Sequence, residues 1–296
     1  MSKILITGAS GFLGTKLSEM YAPKTEILGT YFGHSREGLV SLDVTNSSQT
    51  HDLITRFRPD IVIHTVALSD PDVCEQRKEG AERINYLGTK NIVEACRKTG
   101  ARLDYISTVY VFDGEKGHYT EEDTPHPINW YGETKLRAEQ EVMTLPSWGI
   151  YRFDKLYGYN GLGKPNDLLS KIMADKPFEV NNDQIRQPLL VDDIGRALQR
   201  MQELGMNSIL HLAGPDKISK FELTLRLARL LGKESLVVPI PEKQQIARRP
   251  KDASIETNKA ESLGITFTSL ERAIPMIEGV LRKEDREGQQ RKEIGR

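Results

Sequence analysis

Residues 3–22 read KILITGASGFLGTKLSEMYA. A short apolar run ends at Gly8, and the residues after it have helical spacing, which predicts a strand, a glycine-rich turn and a helix. Gly8, Gly11 and Gly14 fall on that turn in the spacing G-x-x-G-x-x-G. Without side chains there, a pyrophosphate can approach backbone N–H groups and the positive end of the helix. A glycine triplet alone is also compatible with a tight turn, so the pattern that follows has to decide. If it continues as strand and helix in alternation, the turn from Gly8 through Ser10, Gly11, Phe12, Leu13 and Gly14 is a dinucleotide-binding turn.

The alternation does continue. TEILGTYF and GLVSLDV read as second and third strands, and SSQTHDLITRF as a helix opened by Ser and Thr caps. PDIVIHTVAL is apolar enough for a fourth strand covered on both faces. Between Glu82 and Lys98 the residues Ile84, Leu87, Ile92, Ala95 and Cys96 make one helical stripe. RLDYISTVYVF is a fifth strand, a helix carrying Tyr131 and Lys135 follows, and GIYRFDKLYG is a sixth strand. The expected fold class is α/β, a Rossmann-type doubly wound parallel sheet over residues 1–157. Residues 158–282 are expected to form mainly a smaller substrate-binding lobe, with a segment near 187–213 rejoining the sheet domain. In that lobe Pro and Gly cluster at 161–165, and Ser219 and Glu222 form a capping box before a helix that Gly232 stops. Residues 283–296 form a polar tail, expected to fray.

Composition narrows the function. The chain has 296 residues, 38% hydrophobic and 28% charged, with 41 Lys and Arg against 42 Asp and Glu. That balance gives no field drawing it to nucleic acid or an anionic membrane. No apolar run of about 18 residues is present to span a bilayer, and the N-terminus reads as a strand, not as a signal peptide. A cytoplasmic protein is expected, with Cys74 and Cys96 as reduced thiols and no metal site. Amphipathic helices on the sheet faces are compatible with a monomer or a homodimer.

The second strand bears on the cofactor. An acidic residue at its end, about 20 residues beyond the glycines, would bind the ribose diol of NAD. GTYFGHSRE has no carboxylate there before Glu37, and offers His34, Ser35 and Arg36 to a 2′-phosphate. NADP(H) is therefore preferred, with NAD(H) as the second choice. Asp43 and Val44 end the third strand, where adenine would lie, although Asp43 could instead cap the next helix. Val66 and Ala67 end the fourth strand, against the cofactor backbone.

Tyr131 and Lys135, four apart, leave one face of a helix. Thr108 emerges with Ser107 from the end of the fifth strand, at the ligand-bearing edge. A hydride arriving at a carbonyl carbon leaves charge on the oxygen, which Thr108 can hydrogen-bond while Tyr131 donates a proton. A tyrosine near its ordinary pKa of about 10 is a poor acid at neutral pH, and a neighbouring Lys135 ammonium would lower it. Other titratable residues have simpler readings. His64 is expected to be a packed strand-end residue, Asp192 and Asp193 helix caps, and Glu121, Glu122 and Asp123 a solvated loop.

Together, GASGFLG, STVYVFDG, YTEEDTPHPINWYGETK and RRPKDASI resemble the extended short-chain dehydrogenase/reductases, and within them the dTDP-4-dehydrorhamnose reductase group. QPLLVDDIGRAL and HLAGPDKISKFEL follow in the order of that group, and the resemblance runs to about Gly264. It implies NAD(P)H-dependent reduction of the 4-keto group of a nucleotide-activated 6-deoxysugar, with Thr108, Tyr131 and Lys135 catalytic. It also places Arg249 and Pro250 on the sugar-nucleotide pocket. Two positions depart from the group's pattern. Val109 replaces an aspartate beside Thr108, and Lys155 stands where the group has a tryptophan against the sugar. Both are candidate substrate contacts, and the exchange at 155 suggests a more polar or negative substrate. A relative that also lacks the tryptophan is the regulatory β subunit of methionine adenosyltransferase, so a non-catalytic NADP-binding subunit is the alternative. A sugar-nucleotide epimerase or dehydratase is a third reading, disfavoured because Thr108-Val109 supplies no acid and base.

Overall fold

In the computed structural model, residues 2–160, 165–181, 185–240 and 245–280 are described. The polar tail and most of the 161–165 stretch lie outside them. Strand β1 (Lys3–Thr7) is an interior strand of the main sheet. Ile4 and Ile6 pack into one apolar cluster and Leu5 into another, as alternate strand positions must. Burial on both faces explains why the run carries no polar alternation.

Helix α1 (Phe12–Tyr21), β2 (Glu26–Tyr31), β3 (Leu39–Ser41), α2 (Ser47–Phe57) and β4 (Ile61–His64) follow in chain order. Short helices α3 (Pro71–Gln76) and α4 (Lys78–Ala81) lead through a π-helical turn, Glu82–Leu87, into α5 (Gly88–Thr99). Then come β5 (Arg102–Ile106), α6 (Trp130–Val142) and β6 (Trp148–Arg152). Beyond them lie β7 (Lys155–Tyr157), α7 (Asp167–Met173), β8 (Phe178–Asn181), β9 (Ile185–Arg186) and β10 (Pro188–Leu190). Helix α8 (Val191–Leu204), β11 (Ser208–His211), β12 (Ile218–Ser219), α9 (Lys220–Arg229), β13 (Val237–Ile240) and α10 (Asn258–Ser262) follow, and residues 270–280 are helical.

The central sheet has seven parallel strands in the order β11-β6-β5-β4-β1-β2-β3. The order reverses between β1 and β4, which opens a crevice at their carboxyl ends. The fold is the doubly wound α/β sheet. A separate apolar cluster, including Tyr157, Leu169, Leu223, Leu227 and Leu270, ties β7, α7, α9 and the 270–280 helix together. Beside it β8 pairs with β13, β9 with β12, and β7 with β10.

Several local expectations are corrected. The sixth strand is two strands, because the chain turns at Phe153-Asp154 and β7 pairs with β10 outside the central sheet. Asp154 there ion-pairs with Arg186 at 3.2 Å. Helix α2 is capped by Asn46, whose side chain accepts from the Gln49 N–H, and not by Ser or Thr. The stripe through Ile84 and Leu87 is broken by the π turn, which adds residues to one turn and rotates the 3.6-residue period. Leu87 is left 41% exposed, and Asn85 goes inward in its place. Asp192 and Asp193 lie inside the first turn of α8 and do not cap it. Asp192 pairs with Lys16 at 2.7 Å, and Asp193 accepts from the Thr268 N–H at 2.7 Å. Glu121 is not solvated: it accepts from the His211 N–H at 2.9 Å, and burial pushes its carboxyl up.

Helix α6 meets the turn after β5 at Gly132. A Cβ at this position would lie 2.1 Å from the Tyr110 carbonyl oxygen. Gly132→Ala should therefore destabilise the protein by about 2 kcal/mol, because backbone overlap outweighs the gain of roughly 1 kcal/mol in helix propensity. Urea midpoints at constant m-value check this, and a stabilised variant would contradict the packing described.

Candidate active site

A cavity of about 480 Å³ opens at the carboxyl ends of β1, β2 and β4. Seven of the residues singled out in the sequence meet on its wall: Gly8, Ser10, Gly11, Asp43, Val44, Val66 and Ala67. Two chain features suit it to a dinucleotide. A Cβ at Gly14 would lie 2.3 Å from the Gly8 carbonyl oxygen, so only glycine lets α1 come down on the end of β1. Gly11 begins α1 without a side-chain cap, and no acidic residue stands in the first turn. The positive end of the helix is thus left for a phosphate.

Phe12, Leu13, Gly14 and Arg36 are not on this wall among the described residues. Leu13 is in the core, and Phe12 packs against it. Arg36 donates to the Thr15 hydroxyl at 2.9 Å, which holds its guanidinium over the second turn of α1. Asp43 does not cap α2. Its carboxylate accepts from the N–H and hydroxyl of Thr45 at 2.9 and 2.8 Å.

Sequence reasoning missed Phe32, Arg83 and Ile84, which also line the cavity. Phe32 follows β2 and is 67% exposed, an unusual cost for so large an apolar ring outside a binding surface. Its signal in the sequence was an aromatic residue at a strand end facing a polar turn. Arg83 and Ile84 had no linear signal, since the π turn brings them there.

On the other side of the crevice Thr108 heads a short 3₁₀ turn, Val109–Val111, and its side chain accepts from the Tyr110 N–H at 3.2 Å. Tyr131, in the first turn of α6, is half-buried, and its phenol lies close enough to the Thr108 hydroxyl to feel it. Its ring meets that of Tyr110 edge-on at 5.7 Å. Burial pushes the Tyr131 phenol up, and the Thr108 hydroxyl only partly opposes this.

Lys135 lies deeper, 2% exposed. Its Nζ donates to the Ile106 carbonyl at 2.6 Å and sits 4.0 Å from the centre of the Tyr105 ring. Burial pushes its ammonium down to about 7, against the opposing charge of Glu139. The expected lowering of Tyr131 by Lys135 is therefore not the arrangement present, because the ammonium is turned into the end of β5 and is itself disfavoured. One turn further, Glu139 is fully buried and accepts from Arg152 Nε and Nη2 at 2.9 and 2.6 Å. It also accepts from the Ser107 hydroxyl at 2.5 Å. Sequence reasoning overlooked this group, although Tyr131, Lys135 and Glu139 recur every four residues on one helix face.

Val109, a candidate substrate contact, is fully buried in an apolar cluster with Val111 and Phe112. The exchange for aspartate here is thus a core position of this chain. Lys155 opens β7 and is partly exposed. Arg249 donates to Asp72 at 2.9 Å and to the Ala247 carbonyl at 3.0 Å. His64 is a packed residue, fully buried between Thr7 and Thr89, and burial pushes it down to about 3.

Two outcomes follow from this geometry. Phe32→Ala should weaken NADPH binding about tenfold by removing a stacking face, without moving the unfolding midpoint. Titration of NADPH fluorescence checks it, and unchanged affinity would remove Phe32 from the site. Lys135→Met should stabilise the protein at pH 6. Below pH 7 the native lysine is charged and its full desolvation cost is present. Between the native value near 7 and the ordinary value of 10.5, the folded protein has lost the proton that the unfolded chain keeps, so the cost fades as pH rises. Urea unfolding at pH 6 and pH 10 should show a gain that shrinks at the higher pH, and an equal gain at both would refute the titration.

Comparison with known proteins identifies the family of the chain. The chain matches the RmlD substrate binding domain across residues 2–278. It is 32% identical over 278 residues to methionine adenosyltransferase 2 subunit beta of Rattus norvegicus, covering 89% of this chain and 83% of that protein. A hypothetical dTDP-4-dehydrorhamnose reductase from Sulfolobus tokodaii superposes with a TM-score of 0.79 at 33% identity, covering 88% of this chain and 94% of the other. The dTDP-4-dehydrorhamnose reductase of Bacillus anthracis, in complex with NADP, superposes at 0.84 with 28% identity, covering 94% and 99%. With the match spanning all but the two ends of the sequence, the chain belongs to the RmlD substrate-binding-domain family.

Proposed function

We propose that this protein is an NADPH-preferring reductase, with NADH as a second choice, that reduces the 4-keto group of a nucleotide-activated 6-deoxysugar in the manner of the dTDP-4-dehydrorhamnose reductases. The observation that carries the reading is the convergence of Thr108, Tyr131 and Lys135 at the carboxyl end of β5. A reduced nicotinamide dinucleotide supplies a hydride when bound. The chain's own groups do the rest. Tyr131 donates a proton to the carbonyl oxygen as charge builds there, and the Thr108 hydroxyl hydrogen-bonds the same oxygen. Lys135, titrating near neutral pH, is poised to return a proton to the tyrosine once it is drawn from the Ile106 carbonyl. The uncapped start of α1 and the wall formed by Asp43, Val44, Val66 and Ala67 would hold the dinucleotide.

The relation to methionine adenosyltransferase 2 subunit beta supports a second reading, an NADP-binding regulatory subunit without turnover. In that reading the buried contact of Lys135 with the Ile106 carbonyl is structural. NADPH oxidation with dTDP-4-dehydrorhamnose separates the two. On the reductase reading, Tyr131→Phe lowers kcat by about 100-fold or more, with NADPH affinity within about twofold. A fully active Tyr131→Phe protein would overturn the catalytic role. Tight NADPH binding without turnover in the unaltered protein would favour the regulatory subunit.

A further inference from the structure

Ser107 and Thr108 are neighbours at the end of β5, yet their hydroxyls serve different ends. The Ser107 hydroxyl is buried and donates to Glu139 of α6 at 2.5 Å. Glu139 is a fixed point. It is fully buried, and Arg152 at the end of β6 donates to it from Nε at 2.9 Å and from Nη2 at 2.6 Å. The backbone on either side of Thr108 is held as well, with the Ser107 N–H donating to the Tyr151 carbonyl at 2.8 Å and the Val109 N–H to the Phe153 carbonyl at 3.2 Å. Those bonds tie Thr108 to the sheet. They do not set its distance from the helix that carries Tyr131.

That distance depends on how α6 meets the end of β5. Gly132 rests on the Tyr110 carbonyl oxygen, and below it, among the described residues, two side-chain hydrogen bonds cross between helix and strand end. One runs from Lys135 to the Ile106 carbonyl at 2.6 Å, the other from Ser107 to Glu139. The reduction as read above draws Lys135 away from Ile106 to return a proton to Tyr131. The first link is then open, while the second remains, one peptide from Thr108. A hydrogen bond to an acceptor that is itself buried and held by an arginine has few other geometries to move into, so it keeps Thr108 in register with α6 through that step.

We propose that Ser107 is a positioning residue for the reduction: anchored on Glu139, it keeps the Thr108 hydroxyl and the Tyr131 phenol directed at one carbonyl oxygen. The inference rests on the reductase reading above and deepens it. Ser107 is buried and off the cavity wall, so its whole effect on the reaction passes through Thr108.

The test is a double-mutant cycle on NADPH oxidation with dTDP-4-dehydrorhamnose, with Ser107→Ala made both in the unaltered protein and in Thr108→Val. In the unaltered background Ser107→Ala should lower kcat about tenfold, with KM within about twofold and with NADPH stoichiometry and affinity unchanged. In the Thr108→Val background no hydroxyl is left to position, and the same change should cost less than about twofold. Ser107→Cys keeps a weak donor in nearly the same volume. It should show a smaller loss with the same dependence on Thr108, and it carries the test if the alanine variant does not fold. An equal loss in both backgrounds would overturn the proposal by assigning Ser107 to the fold alone, and an unchanged kcat in the first background would overturn it too. So would a fall in kcat matched by a fall in NADPH stoichiometry, since only the folded fraction would then have changed. If the unaltered protein binds NADPH but does not oxidise it with this substrate, the reductase reading fails, and the positioning role with it.

Discussion

The close approach of Gly132 to the Tyr110 carbonyl governs the site. It lets the first turn of α6 rest directly on the backbone of the turn that follows β5. Every fourth residue of the helix is then fixed at a set depth. Tyr131 is at the crevice and half open, Lys135 is beneath it at 2% exposure, and Glu139 is sealed in the core. The same helical period thus delivers a phenol, a lysine near neutrality and a buried glutamate side chain in order of increasing dryness.

Dryness explains the electrostatics better than pairing does. Glu139, though fully buried, has its side chain satisfied by three hydrogen bonds from Arg152 and Ser107. Lys135 has only a carbonyl and an aromatic face, both weaker partners for an ammonium, so burial disfavours its charge. A group held in that condition changes protonation with small changes in its surroundings.

The sheet was legible because its signals are local. Apolar runs such as residues 3–7 and 61–64, with glycine at a turn, define strands wherever they occur. The cavity wall was legible in the same way, since Gly8, Asp43 and Val66 all stand at strand ends. What escaped was set by tertiary contact. The division of the sixth strand depends on Asp154 finding Arg186, and the inward turn of Asn85 depends on a π-helical insertion that no 3.6-residue pattern reveals. Likewise, the sequence shows that Lys135 is near Tyr131 but not that the Ile106 carbonyl claims its ammonium. Val109 looked like a pocket position by adjacency to Thr108, yet a 3₁₀ turn points neighbouring residues in different directions.

The π turn has one more effect. Asn85 accepts from the Leu68 N–H at 2.8 Å, donates to the Leu68 carbonyl at 3.1 Å and reaches Thr134 of α6 at 3.1 Å. The Cys74 thiol donates to the same Leu68 carbonyl. Leu68 continues the cavity wall beyond Ala67, outside any strand, and yet its backbone groups are as fully satisfied as those of a sheet residue. The wall is therefore already ordered before a ligand arrives, and it is fastened to the helix that carries Tyr131. Association at this face costs little conformational entropy in the wall segment, so more of the contact energy remains as affinity.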